Sequence, residues 1–516
     1  MPIRERPKNF RPHREERPNG RVSKDGGEPG KWPSFETPCL RTATQEEVAI
    51  FLQPGAPPTR ANRFIIPHHS IGAIDAARVG PKAANLAALA RAGLPTPVGF
   101  CLTADAYLAQ VTTLGLTDAI SQFADADPRE QRKLAVEIRL ALYEQPIMPD
   151  ILEPLRDAWH AQGATSGKPS AVRSSALVED RKGANFAGQF ESFLGIDDEA
   201  ALLTAVRACW AALWTTNARR YMDNHGLSPA GTAMAVLIQR LVDARASGGG
   251  LSENAEGQMV LSATWGLGSA IAQGEVVPDR IVLTRQGFLR TNEAGRKHHG
   301  DVCVHRADRD AHGPAGVMPR AMPRELVDKP CLSAGEAVTL GRMLRKAEAV
   351  FGMPVEIEWA LDDAGFKLLQ ARPLPPSYPP PQAGEGVSIY PPPLAGESRV
   401  GVPDEIWLRH PGLNGHPAGI GWGAGRAVVV NCECELARIA PGDVLVTRVA
   451  GPALSHVLPR VAGVVTERGG STSHLASLAR ERGIPMVLGV RDATRKIPDG
   501  AQVAVDGVTG IVRWIA

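Results

Sequence analysis

His474 follows two glycines and three hydroxyl residues in the run Gly469-Gly470-Ser471-Thr472-Ser473-His474. A neutral imidazole is a nucleophile. At a helix start it lies beside unpaired backbone N–H groups and the positive end of the dipole, which steady an anion such as a phosphoryl group. A lone histidine there also fits a capping or surface role. Upstream, Glu356-Ile357-Glu358-Trp359 reads as a strand that puts two carboxylates on one face, with Gln370 and Arg372 shortly after. The pair is either a solvated strand face or a Mg²⁺ site, since carboxylate and amide oxygens suit that hard ion and nucleotide phosphates would complete its shell. Arg372 would share a face with Gln370 and steady a transferring phosphoryl group.

The elements that must position these groups follow from residue type. Val461 to Thr466 is a short β-branched run and reads as a strand. Gly469 and Gly470 permit a tight turn. Ser471, Thr472 and Ser473 are N-cap candidates, while Leu475, Leu478 and Ala479 recur at helical spacing and should face a core. Gly483 and Pro485 stop the helix. Earlier in the chain, Ala171 to Ala176 and Val236 to Val242 read as strands. The segment Phe186 to Leu194 holds Gly188 in a loop whose N–H groups suit phosphates. Lys82 in Gly80-Pro81-Lys82 is by itself weak evidence of a site.

Two of these stretches carry a resemblance. Gly469 to His474, followed by Ala479-Arg480-Glu481-Arg482-Gly483-Ile484-Pro485, resembles the phosphohistidine motif of the phosphoenolpyruvate synthase and pyruvate phosphate dikinase family. Residues 64 to 375 resemble that family's ATP-grasp nucleotide-binding domain, with the motifs in the same order. The resemblance implies an α/β multidomain fold, an ATP-grasp domain linked to a small swivelling β/α phosphohistidine domain. It implies that ATP ends as AMP through a pyrophosphoryl-enzyme in which the histidine takes the β-phosphate. His474 would be the carrier, held in place by Thr472 and Ser473. Lys82, Arg173 and Arg372 would contact phosphates, and Gly188, Gln189 and Ser192 would belong to the covering loop. Gln239 would line the adenine pocket. Glu358 and Gln370 would hold Mg²⁺, with Glu356 close by.

The sequence departs from the family pattern at several positions. Pro81 replaces the second Gly of Gly-Gly-Lys, which stiffens the turn and removes an N–H donor. Glu356 stands where Asp is common, Ser269 where Glu is common, Ser192 for Thr and Leu475 for Ala.

A chain of 516 residues predicts about two to four domains. The reading places a loosely packed or disordered tail over 1–63, with one short helix around Glu46 to Phe51, and the nucleotide domain over 64–375. A Pro/Gly-rich linker follows over 376–402, in which Tyr378–Glu385 is echoed by Tyr390–Glu397, and then the swivelling domain over 403–516. A pyruvate- or phosphoenolpyruvate-binding barrel of roughly 250 residues has no room after His474, so the second half-reaction is not visible. The acceptor is then a small molecule or is bound by a separate subunit. A net charge of +2 gives no reason to expect a nucleic-acid partner, and no apolar run suggests a membrane span or secretory signal. Seven scattered Cys fit a reduced, cytoplasmic protein. Two rival functions are an ATP-grasp ligase and an ATP-binding regulatory or scaffold remnant.

Overall fold

Alternation of β-branched and small residues builds three sheets, seen in a computed structural model that describes residues 63–163, 168–179, 186, 188–190, 192–304, 316–374, 410 and 412–515. All of these fall in one compact unit, Pro54–Ala516. The expected tail, its short helix and the Pro/Gly-rich linker lie outside the described residues. Among the described residues no helix is long and apolar enough to cross a membrane.

The first sheet has the order β1-β2-β5-β3-β4, from Ile65–Pro67 (β1), Gly99–Leu102 (β2), Ser170–Ala176 (β3), Ser192–Ile196 (β4) and Met234–Arg240 (β5). Every pairing in it is antiparallel. The second sheet uses Ala246–Leu251 (β6), Met259–Trp265 (β7), Asp279–Leu283 (β8), Leu289–Glu293 (β9), Val355–Asp362 (β12) and Gly365–Pro373 (β13), in the order β13-β12-β6-β7-β8-β9. His299–Val304 (β10) and Gly316–Ala321 (β11) form a separate hairpin. The third sheet is mixed. Its parallel centre is Trp422–Val430 (β16), Val444–Thr447 (β17), Gly463–Thr466 (β18) and Met486–Leu488 (β19). Antiparallel strands flank that centre, His416–Gly419 (β15) beside β19, and Gln502–Asp506 (β20), Ile511–Ile515 (β21) and Gly412–Asn414 (β14) in turn beyond β16. The molecule is thus a multidomain α/β protein, as the sequence predicts.

Helices cover the sheets where their apolar stripes demand it. Ala76–Arg91 and Ala334–Phe351 bury Leu86, Leu89, Leu340 and Leu344 against Leu237, Leu261 and Trp359 of the first two sheets. The first of these helices is broken at Gly80, where φ is +75° and a Cβ would lie 2.3 Å from the Ser175 carbonyl oxygen. Pro81 therefore opens a new helical segment, the position where its missing N–H costs nothing. On the other side, a cluster around Tyr107, Trp210 and Trp214 continues into Leu475, Leu478 and Ala479 of the His474 helix.

One buried ion pair needs its partners. Lys297 and Asp279 are both fully buried and bonded to each other, and Asp279 also accepts the backbone N–H groups of Gly295 and Cys331. Lys297→Ala would strand a charge in the interior. We expect it to cost about 3–5 kcal/mol, read as a lower urea midpoint at unchanged slope.

Candidate functional site

Strand β18 and the turn after it deliver His474 to the first position of the helix His474–Arg482. Gly469 takes φ +101° in that turn. Of the three cap candidates Ser473 does the work, accepting the N–H of Ala476 at 3.3 Å. Gly483 closes the helix in the left-handed conformation, with φ +65°.

Across from His474, β12 and β13 pair in register, Glu356 beside Arg372 and Glu358 beside Gln370. The two carboxylates share a face but not a partner. Arg173 on β3 donates to Glu358 Oε2 at 2.6 Å and to Gln370 Oε1 at 2.9 Å. Arg372 donates to Glu356 Oε2 through Nε at 3.1 Å and Nη2 at 2.9 Å. The same Glu356 oxygen takes Arg480 Nη2 at 3.2 Å and Ser477 Oγ at 3.4 Å, both from the His474 helix. Repulsion between the glutamates is thus relieved by arginines from three elements. Lys82 Nζ lies 3.2 Å from Glu179 and 2.6 Å from the Ser174 carbonyl.

These side chains surround one cavity of about 420 Å³, a size suited to a nucleotide. Lys82, Arg173, Glu356, Glu358, Gln370 and Arg372 line it from the first two sheets and the helix Ala76–Arg91, and Thr472 and His474 from the turn and helix after β18. Gly188, Ser192 and Gln239 also line it, and the Gln239 Nε2 is buried without a protein partner. Gln189 and Ser473 are placed next to lining residues rather than among them. Thr472 packs on the bare backbone of Gly249, where a Cβ would fall 2.5 Å from its own, and its Oγ1 is buried and unpaired. Gly188 rests on His474, a Cβ there lying 3.2 Å from the histidine Cβ. Gly470 meets the Pro278 ring, with 2.3 Å between such a Cβ and Cγ.

Electrostatics follow from this enclosure. Burial lowers the His474 pKa below 6.5, and Arg372 and Arg173 add to it, while Glu358 and Glu356 pull the other way. The ring is therefore neutral at neutral pH. Burial works against the charged form of Glu358, yet Arg173, His474 and Arg372 outweigh it and hold that carboxyl down at about 2. For a divalent ion the protein offers the hard oxygens of Glu358 and Gln370. Among the described residues no cluster of three His, Cys, Asp or Glu side chains could hold a metal unaided. That donor set fits Mg²⁺ shared with phosphates and water. Glu356, with one oxygen taken by two guanidiniums and a hydroxyl, is built into the seam instead.

Several of these residues were not legible as partners. Ser477 and Arg480 lie in or beside the histidine motif, but nothing in the sequence pairs them with Glu356. The expectation of wholly reduced cysteines is corrected at Cys432 and Cys434, which join in a disulfide because the turn between β16 and the short helix Glu433–Arg438 brings their Cα atoms within 5.4 Å.

Comparison with known proteins defines the class. Residues 76–377 match the family described as pyruvate phosphate dikinase, AMP/ATP-binding domain, and residues 439–510 match that described as PEP-utilising enzyme, mobile domain. Phosphoenolpyruvate synthase of Aeropyrum pernix is 32% identical over 84% of this chain and 56% of its own length. That of Pyrococcus furiosus is 30% identical over 88% and 59%, and that of Escherichia coli K12 is 32% identical over 87% and 57%. The chain belongs to the phosphoenolpyruvate synthase and pyruvate phosphate dikinase family. It spans a little over half the length of these relatives.

The enclosure can be measured on His474 itself. Its ring should titrate below 6.5 by NMR. Glu358→Gln removes the largest of the raising charges and should lower the value further. Gly470→Ala, by prising the seam at Pro278, should return it towards 6.5.

Proposed function

We propose that this protein is an ATP-dependent phosphotransferase of the dikinase type, with His474 as the covalent carrier. What supports this most is the convergence of a neutral, helix-start histidine and three cations, Lys82, Arg173 and Arg372, around one nucleotide-sized cavity. In this reading ATP lies with its phosphates among Lys82, Arg173 and Arg372, whose present carboxylate and carbonyl contacts are loosened in exchange. Gln239 offers its unpaired amide N–H groups to the base. Mg²⁺, held by Glu358, Gln370 and phosphate oxygens, would neutralise charge on the phosphate chain.

His474 attacks the β-phosphorus, and the bond to the oxygen bridging the α- and β-phosphates breaks. AMP leaves with that electron pair, and the imidazole gives up its ring proton. Once AMP has left, water or inorganic phosphate attacks the terminal phosphorus and carries that group off as phosphate or pyrophosphate; the bridging oxygen keeps the electron pair and phospho-His474 remains. The Gly188 turn and the Gly249 strand keep water from the reacting atoms. Phospho-His474 passes its group to an acceptor, either a small molecule or a substrate held by a separate subunit. The corresponding activity of the named relatives is synthesis of phosphoenolpyruvate, and this chain's acceptor is proposed to be of the same carbonyl-acid class.

Incubation with ATP labelled at the β-phosphate should give an acid-labile phosphoprotein and AMP. His474→Asn should abolish both. ADP as the sole product, or equal labelling of the variant, overturns the proposal. Because the neutral ring reacts and its pKa is lowered, the labelling rate should hold as pH falls through 6.5 and decline only at lower pH.

A further inference from the structure

Two turns beyond its first residue, the His474 helix carries Glu481, whose side chain is only 4% exposed. It reaches out of its own domain. Tyr221, on the helix Thr216–Asp223, donates its hydroxyl to Glu481 Oε1, and His225 Nε2 lies 3.3 Å from the same oxygen. The second Glu481 oxygen is buried without a partner. Tyr221 has another task. Its hydroxyl oxygen accepts the backbone N–H of Phe186 at 3.3 Å.

Phe186 opens the turn that rests on His474. The Gln189 N–H returns to the Phe186 carbonyl at 3.1 Å, and Gly188 lies between them against the histidine. Phe186 itself adopts φ +54°, a left-handed conformation that bulky residues avoid. Something must hold it there, and the ring contacts say what. Its ring lies 4.6 Å from that of Tyr221 and 5.4 Å from that of Phe190. A hydroxyl that donates to a carboxylate is also a better acceptor, so the Glu481 bond strengthens the Phe186 bond. Burial and the nearby Glu481 charge both raise the Tyr221 pKa, so the phenol stays a donor.

We propose that Tyr221 and Glu481 are positioning residues that tie the Gly188 turn to the presence of the histidine domain. With Glu481 seated, Tyr221 fixes Phe186 in its strained conformation, and Gly188 rests against His474. With Glu481 withdrawn, the hydroxyl loses its acceptor and Phe186 loses its clamp. The consequence for catalysis rests on the reading that His474 takes a phosphoryl group; the coupling itself does not.

Four variants test it, Tyr221→Phe, Glu481→Leu, their double, and Glu481→Gln, which keeps an acceptor. Amide-proton exchange at Phe186, in protein isotopically labelled at phenylalanine, reads the coupling without any chemistry. Glu481→Leu should speed that exchange about tenfold, and Glu481→Gln should restore most of the protection. Unchanged exchange in Glu481→Leu overturns the proposal. Single-turnover labelling from β-labelled ATP reads the consequence. Each single variant should be about tenfold slower with ATP affinity little changed, and the double no slower than the worse single. Additive losses, or labelling at the wild-type rate, overturn the positioning role. Failure of wild type to label at all sinks the functional reading instead, and the exchange result still decides the coupling.

Discussion

One carboxylate oxygen gathers partners from both sides of the seam between the sheets and the histidine helix. Glu356 Oε2 receives Arg372 from its own sheet, and Arg480 and Ser477 from the helix that starts at His474. Ser477 and His474 are three residues apart and so lie on one face. Seating the first therefore orients the second. An isolated buried glutamate would be costly, and two guanidiniums offset that cost only while both sides are together. The hydrogen bonds that orient the start of the His474 helix are thus among those that hold the two parts in contact.

The cavity beside this seam is already charge-balanced by its own walls. Lys82 answers Glu179, Arg173 answers Glu358, and Arg372 answers Glu356. On the proposed reading, these pre-paired cations would need little reorganisation to receive phosphates, and the carboxylates that release them would stay close enough to take a metal ion. The neutral state of His474 belongs to the same economy. Its burial disfavours the imidazolium, and the flanking arginines and glutamates push in opposite directions around it.

Much of this was legible in sequence because it is local. The strand–turn–helix at His474, the buried face of Leu475, Leu478 and Ala479, and the alternation that aligns Glu356 with Glu358 all follow from residue type and period. The α/β class followed as well. What was not legible depends on contacts between distant segments. The register that sets Glu356 opposite Arg372 could be guessed from a hairpin, but not that Arg480 would join them. Tyr221 sits in a short polar helix with no motif, and its partners lie far off in both directions. Pro81 read as a stiffened phosphate turn, whereas the left-handed Gly80 before it makes it the start of a helical segment. The cysteines were misread for a different, local reason: whether residues at i and i+2 join depends on backbone dihedrals that residue types alone do not give.

Where the histidine domain meets the sheets, the nearest points are bare backbone: Gly188 on His474, Gly249 on Thr472, Gly274 on Ala450 and Gly470 on Pro278. A joint of this kind has an unusual property. Parting it strands few apolar side chains in water at those points and leaves few rotamers to be chosen again on return. The fit at these points tolerates no added bulk, and even one methyl group at any of the four glycines would be felt as grit in a bearing.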